Sequence, residues 1–329
     1  MDFLVMDVLG KPLWMWAIFM TVVLALICFD LGVLHKKDQE IGVKESLRLS
    51  AFYITAGCLF GAWIWYTLGS ESALLFYTGF FIEKSLSLDN VFVISLIFTY
   101  FAIPRMYQHR VLFWGIIGVI VLRGIMIGLG THVVSNYAWT LQIFAAFLIF
   151  TGIKMLFPEK EGSDDLSDSK IIAWLRRIMR VTPELHQQKF FVKAADPKNP
   201  NSMVWFATPL FLTLCMVELS DVIFAVDSIP AIFAITTDPF IVFTSNIFAI
   251  LGLRALYFAL SAMVDRFHYL KYALAMVLVF IGSKVFLAEY VWGGHMPAAL
   301  SLGITFGLLT GGVFYSMYKT REEVNKTYD

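Results

Sequence analysis

The sequence predicts an all-α, polytopic membrane helix bundle of about nine spans. Two three-helix units form an inverted repeat (3+3), and three additional spans stand outside it. Three observations predict this: apolar residues gathered in long blocks, basic residues confined to one set of connections, and landmark motifs that recur at matched spacing. Hydrophobic residues make up 59% of the 329-residue chain and charged residues 15%. A soluble domain carries about 25% charged residues, so the apolar excess reads as membrane spans rather than a large soluble core. The formal net charge is zero, which speaks against nucleic-acid binding. Cys28, Cys58 and Cys215 sit in apolar stretches without paired spacing, which argues against a disulfide framework or a cysteine zinc site.

Apolar windows of about 20 residues place the spans near 12–34, 43–68, 73–101, 109–130, 136–157, 203–235, 238–262, 268–290 and 297–318. The first is too long for a signal-peptide core and follows an acidic rather than a basic N-terminus, so it is expected to be a span. The sixth is too long for one straight crossing, and Pro209 and Pro230 suggest a break or bend within it. The connections near 35–48, 102–110, 158–202 and 263–271, with the C-terminal tail, hold 19 of the 25 basic residues. The opposite side receives only Lys11, which puts the N-terminus outside and the C-terminus in the cytoplasm. The long connection 158–202 is expected to be a solvated cytoplasmic loop with a short amphipathic surface helix at 171–180.

The repeat is read from the third to eighth spans. Asp89-Asn90-Val91-Phe92 and Asp221-Val222-Ile223-Phe224 share D-x-[VI]-F. Arg123 follows Asp89 at nearly the spacing by which Arg254 follows Asp221, and Lys154 and Lys284 then follow in LIFTGIKMLF and LVFIGSKVFL. An odd number of spans per unit inverts the second, the arrangement of many secondary transporters, whose sites lie at the midplane between the repeats. The chain is thus one transmembrane domain over 1–329. Repeat one covers about 73–157, the loop about 158–202 and repeat two about 203–290; the extra spans are 12–34, 43–68 and 297–318.

Six acids fall more than two residues inside a span: Asp30, Glu83, Asp89, Glu218, Asp221 and Asp227. A carboxylate at the bilayer centre costs at least about 2.5–3.5 kcal/mol, so each is a functional-site candidate. Glu218 and Asp221, at i and i+3, share a helix face. Glu83 and Asp89 point about 120° apart on an ideal helix, as do Asp221 and Asp227. These pairs converge only if the helices are interrupted near SLSLDN and VDSIP, where Ser87, Asn90, Ser228 and Pro230 suit a break. Such oxygens, with Asn90, Ser220 and Ser228, suit a hard or borderline dication such as Mg²⁺, Ca²⁺ or Mn²⁺. Met216 or Cys215 biases the site only weakly toward Mn²⁺.

The competing reading makes the charges structural. Arg123 and Arg254 then brace the acids, and Lys154 and Lys284 either join them or snorkel to the interface. Surplus carboxylates could instead carry protons. Asp30, near the cytoplasmic end of the first span, is a ligand at the mouth of the pathway or an interfacial residue. The histidines have no metal-ligand spacing and no H-E-x-x-H pair is present, which weighs against an intramembrane metalloenzyme.

FIEKSLSLDNVFV (81–93), VELSDVIFAVDSIPAIFAITTDPFIVFTSNIFAILGLRALYF (217–258) and FDLGVLHKK (29–37) together resemble the TerC/Alx family of bacterial membrane proteins. The resemblance covers essentially the whole chain. It implies a multi-pass inner-membrane protein of a family linked to tellurium resistance, with members that export manganese. The family's motif residues match at Glu83, Asp89, Asn90, Glu218, Asp221 and Asp227. The expected function is divalent-cation transport, with Mn²⁺ efflux implied by the resemblance and protons as a candidate coupling ion. The expected partners are the ion and membrane lipid, with no cofactor, enzyme activity or nucleic acid. The rival is a non-transporting membrane component of a tellurite or metal stress-resistance complex.

Overall fold

The computed structural model describes residues 5–34, 43–137, 139–157, 179–196, 199–260, 270–292 and 296–328. Within its helices, side chains including those of Asp89, Asp227 and Arg254 lie outside the described residues. The expected surface helix at 171–180 lies almost wholly outside them too.

The chain is a helical membrane bundle. Its helices are α1 (Leu13–Leu34), α2 (Val43–Leu68), α3 (Ser70–Tyr100), α4 (Arg105–Asn136), α5 (Thr140–Leu156), α6 (Pro209–Phe233), α7 (Pro239–Leu251), α8 (Leu253–Leu260), α9 (Leu270–Trp292) and α10 (Ala298–Tyr328). Six stretches among the described residues are long and apolar enough to cross a membrane: they lie in α1, α2, α4, α6, α7 with α8, and α10. The apolar segments of α5 and α9 are shorter. Large side chains such as Leu129, Phe150, Phe314 and Tyr318 point outward, as a lipid-facing surface requires. Trp65 and Tyr66 end α2, and Tyr137 and Trp139 follow α4, a placement typical of interfacial aromatics.

Between α5 and α6 the connection expected to be a solvated loop contains an antiparallel hairpin, β3 (Phe191–Asp196) with β4 (Asn199–Ala207); β1 (Asp7–Val8) and β2 (Lys11–Pro12) form a small one before α1. The sixth span therefore begins at Pro209 rather than near 203. Pro209 occupies the first turn, where its missing N–H leaves no bond unmade, and so it opens the helix instead of breaking it.

The expected interruptions at SLSLDN and VDSIP are absent. α3 runs unbroken through Ser87, whose hydroxyl donates to the Glu83 carbonyl at 2.7 Å. α6 runs through Pro230 because that proline falls in the last turn, where one lost bond costs little continuity. The discontinuity lies instead at Gly252, between α7 and α8. There the Lys84 ammonium donates to the Ala249 carbonyl at 2.9 Å, meeting the negative end of α7. A Cβ at 252 would come within 2.8 Å of Lys84 Nζ and 2.9 Å of Tyr53 Cβ.

The core is divided among several clusters. Phe19, Phe60, Phe76, Phe80, Phe240 and Phe248 pack α1, α2, α3 and α7 together. α9 lies along α5, and two glycines set their separation. A Cβ at Gly152 would sit 2.7 Å from the Ala275 carbonyl and 2.8 Å from Val279. A Cβ at Gly282 would sit 2.5 Å from the Ala145 carbonyl and 2.8 Å from Ile149. The contacts are reciprocal: Ala145 and Ala275, Ile149 and Val279, and Gly152 and Gly282 are equally far apart in sequence. α3 packs on α7 and α4 on α6, which brings the polar faces of the bundle together.

Candidate functional site

Four helices contribute to one buried polar cluster. On α3, Glu83, Ser87 and Asn90 fall at i, i+4 and i+7, so an unbroken helix presents all three on one face. On α6, Asp221 and Ser228 share a face by the same seven-residue spacing. α7 brings Asn246, fully buried within the polar run Thr244-Ser245-Asn246. Arg123 enters from α4 and is only 1% exposed.

Arg123 organises the cluster. Its Nε donates to Asp221 Oδ2 at 3.1 Å and its Nη2 to Asp221 Oδ1 at 3.2 Å, a bidentate pair. Its Nη1 donates to Asn246 Oδ1 at 3.0 Å, to Ser228 Oγ at 3.3 Å and to Glu83 Oε1 in a close ion pair. Asn246 Nδ2 donates to Glu83 Oε2 at 3.3 Å, and Asn90 Nδ2 donates to Asp221 Oδ1 at 3.3 Å. Every oxygen of the two carboxylates is thus satisfied. Breaking such a pair by removing one partner leaves a bare charge, and costs about 3–5 kcal/mol.

Glu218 stands apart from this network. Its carboxylate rests over Gly118 of α4, where any Cβ would collide with it, and 3.7 Å from the position of a Cβ on Gly115. Its Oε2 is buried without a hydrogen-bond partner among the described residues. Between Glu218's helix and α4 lies a cavity of ≈ 30 Å³, lined by Asn90, Gly115, Val119, Ser220 and Asp221 among others. Such a space holds a water molecule or a bare cation.

The cluster therefore gathers Glu83, Asn90, Asp221, Ser228 and Arg123 from the residues that the sequence singles out. Asp89 and Asp227 lie on α3 and α6, and Arg254 on α8, with side chains outside the described residues. Asp30 is buried near the end of α1 and is not among the groups that Arg123 bonds. Lys154 is exposed in the last turn of α5. Lys284 is half-buried, and its Nζ donates to Ser301 Oγ of α10 at 3.4 Å. Sequence reasoning missed Asn246, whose signal was a T-S-N run inside an otherwise apolar span. It also gave Lys84 no role, and one-dimensional spacing holds no trace of that residue's contact with Ala249.

Chemically, the oxygens around the guanidinium are two carboxylates, an amide carbonyl and a hydroxyl. This is the donor set a hard dication takes, here satisfied by an arginine.

Comparison with known proteins gives one consistent result. Residues 68–324 match the model of a family described as the integral membrane protein TerC family. An uncharacterized membrane protein of Rickettsia bellii (strain RML369-C) is 48% identical over 304 residues, covering 92% of this chain and 97% of that one. The uncharacterized membrane protein STKORF319 of Myxococcus xanthus is 45% identical over 95% of this chain and 94% of its own length. A protein of Escherichia coli (strain K12) named "Putative membrane-bound redox modulator Alx" is 46% identical over 92% of this chain and 94% of its own. No solved structure matches.

Proposed function

The chain belongs to the integral membrane protein TerC family, and on that premise we propose that it is a divalent-cation transporter. It moves Mn²⁺ out of the cytoplasm by alternating access of two inverted three-helix units. The observation that carries this reading is the buried set of oxygens from Glu83, Asp221, Ser228 and Asn246, assembled from both proposed units. Lipid-buried carboxylates gathered between two such units are the usual position of an ion site. The reciprocal contacts of Gly152 and Gly282 support the inverted repeat, because an axis relating the units would exchange them. Nine spans follow if α3, α5 and α9 cross with the six apolar ones and α7 and α8 form a single span. The charge bias of the connections then sets the N-terminus outside and the C-terminus in the cytoplasm of a bacterial inner membrane. The choice of Mn²⁺ and the outward direction come from the family resemblance. The chain acts as a carrier, not an enzyme, with protons as the candidate coupling ion.

A second reading has one observation in its favour. Arg123 already satisfies the carboxylates, as a brace in a non-transporting component of a stress-resistance complex would.

Vesicles containing the purified protein and a Mn²⁺-sensitive dye distinguish the two. Wild type is expected to move Mn²⁺, and Asp221→Asn at least tenfold more slowly. Equal rates, or no movement by either, would sink the transport reading.

A further inference from the structure

We propose that Arg123 is a tethered counter-cation that yields Glu83 and Asp221 to the cargo ion and moves one helical turn along α4 to Glu218. This deepens the transport reading and rests on it. The first observation is occupancy. Among the described residues, Glu83 and Asp221, the carboxylates brought together from the two proposed units, are the ones that Arg123 holds. A dication and a guanidinium cannot share that cage, since at such distances like charges repel strongly in a medium of low polarisability. Either the cargo avoids both carboxylates or the arginine leaves.

The second observation is a place to go. Long side chains on a helix lean toward its N-terminus, which from Arg123 means toward Val119, Gly118 and Gly115. Those glycines put no side chain on this face of α4, and the ≈ 30 Å³ cavity opens beside Gly115 and Val119. Over Gly118 sits Glu218, with a buried oxygen that has no hydrogen-bond partner among the described residues. It precedes Asp221 on the same face of α6, so the two carboxylates are stations a little under one turn, or about 4.5 Å, apart along the helix.

The third is charge. With the ion on Glu83 and Asp221 and the arginine on Glu218, each cation among these described groups meets an equal negative charge. With the arginine immobile, Glu218 has no counter-charge among these groups and the ion is opposed by a fixed guanidinium. Glu218 is accordingly a positioning residue for cargo binding, acting through Arg123 rather than as a ligand.

The test uses the full-length protein in detergent with Mn²⁺ alone as the probe. Glu218→Gln is expected not to lower metal-free thermal stability, because Glu218 makes no hydrogen bond to the Arg123 cluster and loses no partner there. It should weaken Mn²⁺ binding by calorimetry at least tenfold. At saturating Mn²⁺ the electron paramagnetic resonance spectrum of the bound ion should match that of wild type, since its ligands are the same. Unchanged affinity overturns the proposal, and so does an altered spectrum, which would make Glu218 a ligand. If the variant binds too weakly to saturate, Glu218→Gln is repeated in an Arg123→Gln background: no further loss is expected there, and a full further loss refutes the idea. A wild type that binds no Mn²⁺ removes the transport reading itself, an outcome distinct from either of these.

Discussion

The crossing of α5 and α9 yields a prediction with its magnitude visible in the contacts. Replacing Gly282 by alanine puts a methyl 2.5 Å from the Ala145 carbonyl and 2.8 Å from Ile149. Ordinary contact begins near 3.4 Å, so the two helix backbones must part by somewhat less than an ångström. Neither obstacle is the flexible end of a long side chain, so the helices themselves have to shift. Inserted methyls of this kind cost about 1–3 kcal/mol. Gly152→Ala meets the same two kinds of atom at 2.7 and 2.8 Å, so its cost should fall in the same range. The double variant should cost clearly less than the sum, because the first methyl opens the gap that the second needs. Equilibrium unfolding of the purified variants in mixed micelles reads all three. A large cost at one glycine and none at the other would refute the reciprocal crossing, and full additivity would refute the shared gap.

Three further outcomes are expected. Arg123→Met should destabilise by about 3–5 kcal/mol, because it strands Glu83 and Asp221. Thermal unfolding should show most of that recovered when Glu83→Gln and Asp221→Asn are added, and no recovery would argue that packing dominates. Asn246→Ala removes a donor to Glu83 and an acceptor from Arg123. It should cost about 1–3 kcal/mol and slow Mn²⁺ uptake into vesicles, whereas wild-type stability and rate would dismiss its place in the cluster. Lys84→Met deprives the Ala249 carbonyl of its donor, so amide exchange around 249–253 should quicken while that in α9 stays fixed; uniform protection would show that the kink does not depend on Lys84.

Much of the helical framework was legible because lipid imposes a simple rule. A span must be apolar for about 20 residues and satisfy its own backbone, and α2, α9 and the start of α10 fall within a few residues of the apolar windows. The rule fails where a sequence is apolar for another reason. MVWFA at 203–207 extends the sixth window, yet Trp205 and Val204 pair with Lys193 and Ala194 in β4 and β3. The turn residues of DPKNP between two short apolar runs carried that signal, and mean hydropathy averages it away. Prolines misled in the same manner: position within the helix, not presence, decides whether Pro209 or Pro230 interrupts anything.

The site was legible in composition but not in geometry. Counting acids finds Glu83 and Asp221, but asking acids on one helix to meet one another forces a break that the chain does not make. The helices stay intact because the charges converge between elements. The seven-residue spacings of Glu83 with Asn90 and of Asp221 with Ser228 already place each pair on one face, and Arg123 and Asn246 supply the opposing walls. A buried charge is costly mainly when unpaired, so an intact helix with a partner across the interface is a better solution than a bent one without. That reasoning also explains why the discontinuity falls at Gly252 instead. There the backbone carbonyl freed near the end of α7 has a cation of its own in Lys84, while among the described contacts the main chains of α3 and α6 receive from side chains only hydroxyl donors such as Ser87 and Ser220 and no Lys or Arg.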